Sequence, residues 1–386
     1  MKTYYPALTG VRAVAAYMVV MVHMSALETP AQLPYFKMLA VEYIRQWGIG
    51  VVIFFVLSGF LITTRYADRV EPTRAWATRY LQNRFARIYP IYFLLTALAF
   101  AVMVLRPTHG WWEWSAAFTL PEKLCAVLLN LTLLRGYFNQ YAVLGLPTAW
   151  SLTVEETFYL MAPFLLLGLR RNFRRVVVYP VALLALGFLL VAFCSHFLPY
   201  YGLMKDAKFM LNMTFFGHSV EFVLGMALAL WVARQPRPTG RGIAYTVLGA
   251  GGILLYMLVQ ALLYHFFPGH YYPITEEPDW SYRLLFANNV GLPVLVCSLF
   301  WGLISEQTLL RRLLETRLFQ LLGKASYVLY LIHLGTFDYL FRKYVSGSSL
   351  ICLVAYTLVS IALYRLVERP LHQRLRAKPH PQAVAA

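Results

Sequence analysis

Residues 9–27, TGVRAVAAYMVVMVHMSAL, are almost wholly apolar and long enough to cross a bilayer as a helix. The stretch nevertheless contains Arg12 and His23, which are eleven residues apart. Eleven residues at about 100° each bring a helix back to within roughly 20° of its starting angle, so both side chains share one face. They lie about 16 Å apart along the axis, roughly half the hydrocarbon thickness. Because ionisable groups inside a membrane are costly and usually functional, we interpret this helix as the centre of a site.

The composition is that of a polytopic membrane protein. Of the 386 residues, 60% are hydrophobic and 13% are charged, whereas soluble proteins are about 25% charged. In a soluble chain the net charge of +17 would suggest nucleic acid as a partner. Here the basic residues cluster in short loops between apolar segments, so membrane topology explains them and no nucleic-acid partner is expected. The four cysteines form no ligand pattern, and no metal site is expected.

The hydropathy pattern predicts an all-α fold with about ten transmembrane helices. The predicted spans are residues 9–27, 47–65, 88–105, 151–169, 176–195, 209–233, 243–265, 284–304, 323–341 and 349–367. A shorter apolar run at 124–134 is predicted to be a re-entrant or interfacial helix on the outer side. The reason is that the basic loops at 65–87 and 170–175 must both face the cytoplasm, and two spans already connect them. We expect a single transmembrane domain over residues 1–376 and a short, disordered cytoplasmic tail at 377–386.

The same charge bias predicts that both termini are cytoplasmic. The loops assigned to the outer side combine aromatic and polar residues. Residues 107–119 contain three tryptophans, and residues 264–282 contain tyrosines, histidines and carboxylates. An interfacial aromatic belt explains such a composition. A platform on which sugar rings stack is the functional alternative.

Three further polar side chains are predicted to lie at depths that match the two ends of the first helix. Arg84 and Arg87 share a helix face at the cytoplasmic mouth of the third span, where two guanidinium groups can bind phosphates; positive-inside anchoring is the simpler explanation. Glu155 lies near the outer end of the fourth span, at the depth predicted for His23. A carboxylate and an imidazole at one depth can form a base and its orienting partner.

Other polar residues have structural as well as functional explanations. Thr153 and Glu156 fit a helix capping box. Ser58 lies among small residues of the second span that allow another helix to approach closely, and it has no neighbouring base in the sequence. His333, with Tyr327 on or near its face, is either a satisfied core residue or part of the site.

Two local pairings are also predicted. His218 and Glu221 are three residues apart in the sixth predicted span, which favours a buried pair that holds helices together. Near the end of the last span, Glu368 is expected to pair with Arg365 or Arg369.

Six segments in order resemble the bacterial acyltransferase-3 family of integral-membrane acyltransferases. They are LTGVRAVAAYMVVMVH (8–23), FFVLSGFLIT (54–63), RFARIYP (84–90), WSLTVEETFYL (150–160), GKASYVLYLIH (323–333) and VERP (367–370). Each segment alone is a weak signal, but their order and spacing cover nearly the whole chain. The resemblance implies a membrane domain of ten helices, in agreement with the spans given above.

The resemblance further implies a membrane-bound O-acyltransferase of the bacterial cytoplasmic membrane. It would move an acyl group, commonly acetyl, from cytoplasmic acyl-CoA to a hydroxyl of a cell-envelope glycan or other carbohydrate. The positions carried over from the family are the catalytic histidine His23, its partner Arg12, the donor-binding Arg84 and Arg87, and the functional positions Glu155 and His333. One departure is His218, where members often have an arginine. The alternative is a transporter or flippase that moves a lipid-linked glycan or a small molecule past the same polar residues.

Overall fold

The computed structural model describes residues 4–25, 35–71, 73–107, 110–235, 242–266 and 286–377. Within these ranges, every regular element is helical. In this part of the chain nine helical segments are long and apolar enough to cross a membrane: Pro6–Met24, Lys37–Tyr66, Arg74–Leu105, Pro147–Arg171, Arg175–Phe197, Ala207–Arg234, Ala244–Phe266, Ala287–Ser305 and Ser349–Leu375. The predicted all-α, multi-pass membrane fold is therefore confirmed.

We number the α-helices in chain order. They are α1 (Pro6–Ser25), α2 (Tyr35–Arg45), α3 (Gly50–Tyr66), α4 (Arg74–Leu105), α5 (Leu120–Leu131), α6 (Trp150–Arg171), α7 (Arg175–Phe197), α8 (Ala207–Met213), α9 (Phe215–Arg234), α10 (Ala244–Phe266), α11 (Leu292–Ser305), α12 (Leu309–Leu314), α13 (Arg317–Ile332), α14 (Thr336–Tyr344), α15 (Ser349–Leu363) and α16 (Arg369–Leu375). A π-helical turn at Tyr364–Glu368 joins α15 to α16, and another at Ala287–Gly291 precedes α11.

The predicted span at 323–341 is a broken helix. Helix α13 ends at Ile332 and α14 begins at Thr336, with Gly335 between them at φ 78°. A Cβ on Gly335 would lie 2.7 Å from Cδ of Pro147, so both the positive φ and the close contact require glycine here. His333 therefore lies at a break in a helix, and the break is packed against the start of α6.

Helix α1 is packed closely between α3 and α13. A Cβ on Gly50 of α3 would lie 2.5 Å from the carbonyl oxygen of Ala15, and one on Gly323 of α13 would lie 1.9 Å from that of Thr9. Such distances are possible only where glycine lets two backbones touch. The helix that carries Arg12 and His23 is thus held by backbone contacts on two sides.

Helices α3 and α9 meet through a reciprocal pair of glycines. A Cβ on Gly59 would lie 2.1 Å from the carbonyl oxygen of Phe222, and one on Gly225 would lie 2.1 Å from that of Val56. The prediction that small residues in the second span allow close approach is confirmed at this crossing. It does not extend to Gly48, whose would-be Cβ meets no atom of the described residues within 4 Å.

The short apolar run predicted at 124–134 forms α5 and an irregular segment that is organised by Arg135. The side chain of Arg135 is 0% exposed and donates hydrogen bonds to Oδ1 of Asn130 and to the carbonyls of Leu144 and Leu146. These three acceptors are neutral, so the charge is solvated by dipoles instead of a carboxylate. Arg135 thereby fixes the chain just before Pro147, which contacts the break beside His333.

The predictions for the loop 267–282 and for the tail 378–386 lie outside the described residues. The division into one domain over 1–376 and a tail stays a prediction.

Candidate active site

His23, near the end of α1, meets His333 at the break between α13 and α14. Nδ1 of His23 lies 2.9 Å from Nε2 of His333, and Nδ1 of His333 lies 3.2 Å from the carbonyl oxygen of Leu329. A carbonyl can only accept, so His333 carries its proton on Nδ1 and accepts on Nε2. The proton in the shared bond then belongs to Nδ1 of His23. This assignment leaves Nε2 of His23 with a free lone pair, the form that a base or a nucleophile requires.

A cavity of about 250 Å³ adjoins the two imidazoles. Its lining includes His23, His333, Trp111, Trp112, Asp338 and Arg342. The two tryptophan rings lie edge to face, with centroids 5.6 Å apart and an interplanar angle of 80°. The cavity thus combines a basic imidazole, aromatic faces and a pair of opposite charges.

Asp338 and Arg342 form an ion pair one helical turn apart on α14. Nε of Arg342 donates to both carboxylate oxygens of Asp338, at 2.9 and 3.1 Å, and the hydroxyl of Tyr356 donates to Oδ1 as well. Sequence reasoning assigned neither Asp338 nor Arg342 to the site. The i,i+4 spacing of the two charges in TFDYLFRKY was the signal that could have identified them.

Arg12, at the opposite end of the shared face on α1, lies in a second polar cluster. Its electrostatic neighbours are Arg87, Glu368 and Glu155. Oε1 of Glu155 accepts a hydrogen bond of 2.8 Å from Ser58, and Oε2 accepts one of 3.1 Å from Tyr159. The structure therefore brings Arg12, Arg87 and Glu155 together, and it gives Ser58 a carboxylate partner from another helix.

Glu155 does not occupy the place beside His23 that its predicted depth suggested. In the described residues its hydrogen bonds come from Ser58 and Tyr159, and the hydrogen bond that orients His23 involves His333. The reason is the helical turn Pro147–Ala149, which precedes α6. Glu155 consequently lies about 12 Å along the axis from Pro147, roughly two turns and not one.

An ion pair between residues far apart in the sequence lies in the same cluster as Arg12. Nη1 of Arg87 lies 2.8 Å from Oε1 of Glu368, whose side chain is 3% exposed. The predicted pairing of Glu368 with Arg365 or Arg369 is wrong, because both of these arginines are exposed while Glu368 turns inward. The carboxylate of the last membrane helix thus reaches the third predicted span.

Arg84 lies among aromatic rings beside this cluster. Its guanidinium carbon is 5.8 Å from the ring centre of Tyr66 and 5.6 Å from that of Tyr159, within the range of cation–π attraction. Nε of Arg84 and Oε2 of Glu156 are buried and have no hydrogen-bond partner in the part of the chain that is described. Glu156 is an electrostatic neighbour of Arg84.

The predicted capping box at the start of α6 is wrong. Helix α6 begins at Trp150 without a side-chain cap. Thr153 is inside the helix and accepts a hydrogen bond of 3.1 Å from the backbone N–H of Gly136. Glu156 is therefore free to face Arg84 instead of its own helix terminus.

Three predicted residues, Tyr327, His218 and Glu221, have mainly structural contacts. Tyr327 donates a hydrogen bond of 3.0 Å to the carbonyl of Ile88 and so joins α13 to α4. The buried pair of His218 and Glu221 is confirmed, with 2.8 Å between Nδ1 and Oε1. Nε2 of His218 lies 2.9 Å from the carbonyl oxygen of Asn212, so this imidazole ties the end of α8 to α9.

Comparison with known proteins identifies a family and several relatives. The model of the acyltransferase-3 family, described as "Acyltransferase domain", matches residues 5–365. The "O-acetyltransferase OatA" of Staphylococcus aureus (strain NCTC 8325) is 24% identical over 399 residues, covering 96% of this chain and 58% of the relative. A protein of S. aureus (strain COL) with the name "Putative O-acetyltransferase" is 22% identical over 389 residues, covering 95% of this chain and 57% of the relative.

The chain therefore spans less than two thirds of the length of these relatives. No solved structure matches the chain significantly.

Proposed function

Because the chain belongs to the acyltransferase-3 family, we propose that it transfers an acyl group, acetyl in particular, from cytoplasmic acyl-CoA to a hydroxyl of a cell-envelope glycan or other carbohydrate. The observation that carries the proposal is the hydrogen bond between His23 and His333 beside a cavity, on the helix whose other end holds Arg12 in an arginine cluster. The names of the relatives support O-acetyl transfer. The proposed setting is the bacterial cytoplasmic membrane with both termini in the cytoplasm, which the basic loops support.

The arginine cluster supplies the donor site. Arg84 and Arg87 lie on one face of α4, and Arg84 has an unpartnered Nε in the described residues. Guanidinium groups bind phosphate oxygens through paired N–H donors, so these two arginines hold the phosphates of acyl-CoA. Glu368 neutralises part of the charge and fixes the position of Arg87. The thioester arm then extends along α1 towards His23.

His23 supplies the base. Its Nε2 removes the proton from the acceptor hydroxyl, and the oxygen attacks the thioester carbonyl carbon. The carbon–sulfur bond breaks, and the thiolate of coenzyme A takes the proton from His23. In the two-step variant, Nε2 first attacks the thioester carbonyl and the coenzyme A thiolate leaves. The acceptor hydroxyl then attacks the acyl-imidazole, the carbon–nitrogen bond breaks, and the hydroxyl proton passes to the thiolate. His333 fixes the tautomer in both cases, because its Nε2 accepts the proton on Nδ1 of His23.

Arg12 and Glu155 act at the donor end of the path. No hydrogen bond of the Arg12 guanidinium to another described residue is present, so its donors remain for the substrate. The group lines the donor path and attracts negative charge. Glu155, held by Ser58 and Tyr159, balances the charge of Arg12.

The direct test is the substitution His23→Ala in the full chain, assayed for acyl transfer in membrane vesicles with labelled acetyl-CoA and envelope glycan. Loss of a general base lowers the rate by about 10²–10⁴-fold. The matched control is His196→Ala, which removes an exposed histidine at the end of α7 and should leave the rate unchanged. Full activity of His23→Ala at normal expression would refute the role of His23.

The same vesicles separate transfer from transport. Under the alternative function, a lipid-linked glycan or small molecule crosses the membrane without gaining an acyl group. Movement of the glycan in the absence of acetyl-CoA, with no mass increase of one acetyl group, would support the transporter and overturn the enzyme.

A further inference from the structure

The residues that line the cavity beside His23 indicate which chemical class of acceptor it binds, an inference that rests on the proposed function. Its volume of about 250 Å³ is below the roughly 300–1,000 Å³ of pockets that enclose drug-sized ligands. A volume of this size encloses about one small ring at a time. Trp111 and Trp112 present aromatic surface to that ring, and Nε2 of His23 supplies the base.

Arg342 lines this cavity and has hydrogen-bond donors that can bind a ligand. Its Nε is bound to both oxygens of Asp338, which orients the guanidinium group. Among the described residues, Nη1 and Nη2 have no hydrogen-bond partner, although the side chain lines the cavity. The two terminal nitrogens of an oriented guanidinium form a planar fork that matches a carboxylate or a phosphate.

The charges around the cavity favour an anion as well. Asp338 is the acidic residue among those that line the cavity, and Arg342 and Tyr356 already occupy it. The neighbouring Lys343 is exposed and has Arg106 as an electrostatic neighbour, which adds positive charge near this end of α14. An incoming carboxylate or phosphate thus meets two guanidinium nitrogens that have no partner among the described residues, while the carboxylate of the lining is already hydrogen-bonded.

We propose that the cavity is the acceptor subsite, that it takes a single sugar ring bearing an anionic group, and that Arg342 is the specificity residue that binds this group. The carboxylate of an acidic sugar and a sugar phosphate share this chemistry. This inference rests on the proposed function for the identity of the reaction, but the binding preference can be measured without any transfer.

The test is equilibrium binding to the purified full chain, followed by tryptophan fluorescence or calorimetry, with three matched probes. These are methyl glucoside, methyl glucuronide and methyl glucoside 6-phosphate. We expect at least one anionic probe to bind about tenfold or more tightly than the neutral one, and the stronger of the two identifies the anion. Arg342→Gln should reduce this preference to less than about twofold, because a single well-made charged contact accounts for it.

Lys343→Gln is the matched control, since it removes a neighbouring positive charge that does not line the cavity and should preserve most of the preference. Equal binding of all three probes, absence of binding, or an unchanged preference in Arg342→Gln would overturn the inference. The two proposals fail separately. A wild-type chain that shows the anion preference but transfers no acyl group in the vesicle assay would refute the proposed function and leave the subsite intact.

Discussion

Nδ1 of His23 and Nε2 of His333 are 2.9 Å apart although 310 residues separate them in the chain. The contact depends on the break between α13 and α14, which places the His333 ring at a helix end with the carbonyl of Leu329 as its second partner. A continuous helix through residues 333–335 would not present the ring in this way. The break is therefore part of the geometry of the candidate active site.

The first prediction concerns this contact. His333→Phe retains a ring of similar size but cannot accept the proton of His23, so the reactive tautomer is no longer favoured. Loss of a partner that orients a functional imidazole costs about 10–100-fold in activity. We expect kcat to fall by that factor with little change in KM for acyl-CoA. A proportional rise in KM with unchanged kcat would show that His333 contacts substrate and does not orient His23.

The second prediction separates the structural and donor-binding roles of Arg87. Glu368→Gln leaves a partly buried arginine beside Arg12 without its carboxylate, and breaking one partner of a buried pair costs about 3–5 kcal/mol. We expect a lower unfolding temperature in detergent. The double variant Arg87→Met with Glu368→Leu should recover most of the stability but not the affinity for coenzyme A. Recovery of both would remove Arg87 from the donor site.

The third prediction concerns the crossing of α3 and α9. A methyl group at Gly59 would lie 2.1 Å from the carbonyl oxygen of Phe222, which the backbone cannot accommodate without moving. Overpacking of this kind costs about 1–3 kcal/mol, so Gly59→Ala should lower the unfolding temperature. Gly48→Ala is the control because its Cβ would meet no atom within 4 Å in the part of the chain that the structure describes. Equal effects of the two substitutions would contradict the close packing.

The fourth prediction concerns Arg135, whose buried guanidinium binds Asn130, Leu144 and Leu146. Arg135→Lys keeps the charge but cannot reach three acceptors in the geometry of a planar fork. Each carbonyl left unpaired costs about 1–3 kcal/mol. We expect a less stable protein. We also expect lower activity, because the segment that Arg135 fixes leads into Pro147, which contacts Gly335 beside His333. Protease cleavage between residues 131 and 149 should become faster, and resistance equal to the wild type would argue against this role.

The fifth prediction uses pH. Burial on its own raises the pKa of Glu306, but hydrogen bonds from the Thr246 hydroxyl and from the backbone N–H groups of Tyr245 and Thr246 outweigh burial and leave the pKa below its ordinary value. The carboxylate therefore stabilises the fold above the unfolded pKa of about 4.3, and this contribution is lost as pH falls through the lower folded value.

We expect Glu306→Gln to unfold at a lower temperature than the wild type at pH 7, and we expect this difference to shrink as the pH falls below about 4.3. The control is Glu315→Gln, which removes a half-exposed partner of Arg311 and should have little effect at either pH. A difference that persists undiminished at pH 3 would contradict the stabilising role of the ionised Glu306 carboxylate.

Periodicity and hydropathy predicted the helices of this protein because each span must satisfy its backbone hydrogen bonds internally when it lies in lipid. They also predicted the small residues at the α3–α9 crossing and the His218–Glu221 pair, since both depend on local spacing. The partners of Glu368, Ser58 and His23 could not be predicted in this way. Each lies in another span, and the order of helices around α1 is not encoded in the period of any single helix.

The depth of Glu155 shows a second limit of sequence reasoning. Composition shows where a segment is apolar but not where its helix begins, and an extra turn at Pro147–Ala149 moved the carboxylate to the arginine end. The break at Gly335 was hidden for a related reason. The mostly apolar segments on either side of it continue the hydropathy of a normal span, although His333, Thr336 and Asp338 lie close to the break.

The pairing of Arg87 with Glu368 has a consequence for biosynthesis. The ribosome must add 281 further residues after Arg87 before the carboxylate exists. Until the last helix enters the membrane, Glu155 of α6 is the acidic neighbour of Arg12, and Arg87 lacks its ion-pair partner. The ion pair between Arg87 and Glu368 therefore forms only at the end of membrane insertion. A chain whose translation stops before α15 contains Arg87 in a completed α4 without the carboxylate that pairs with it.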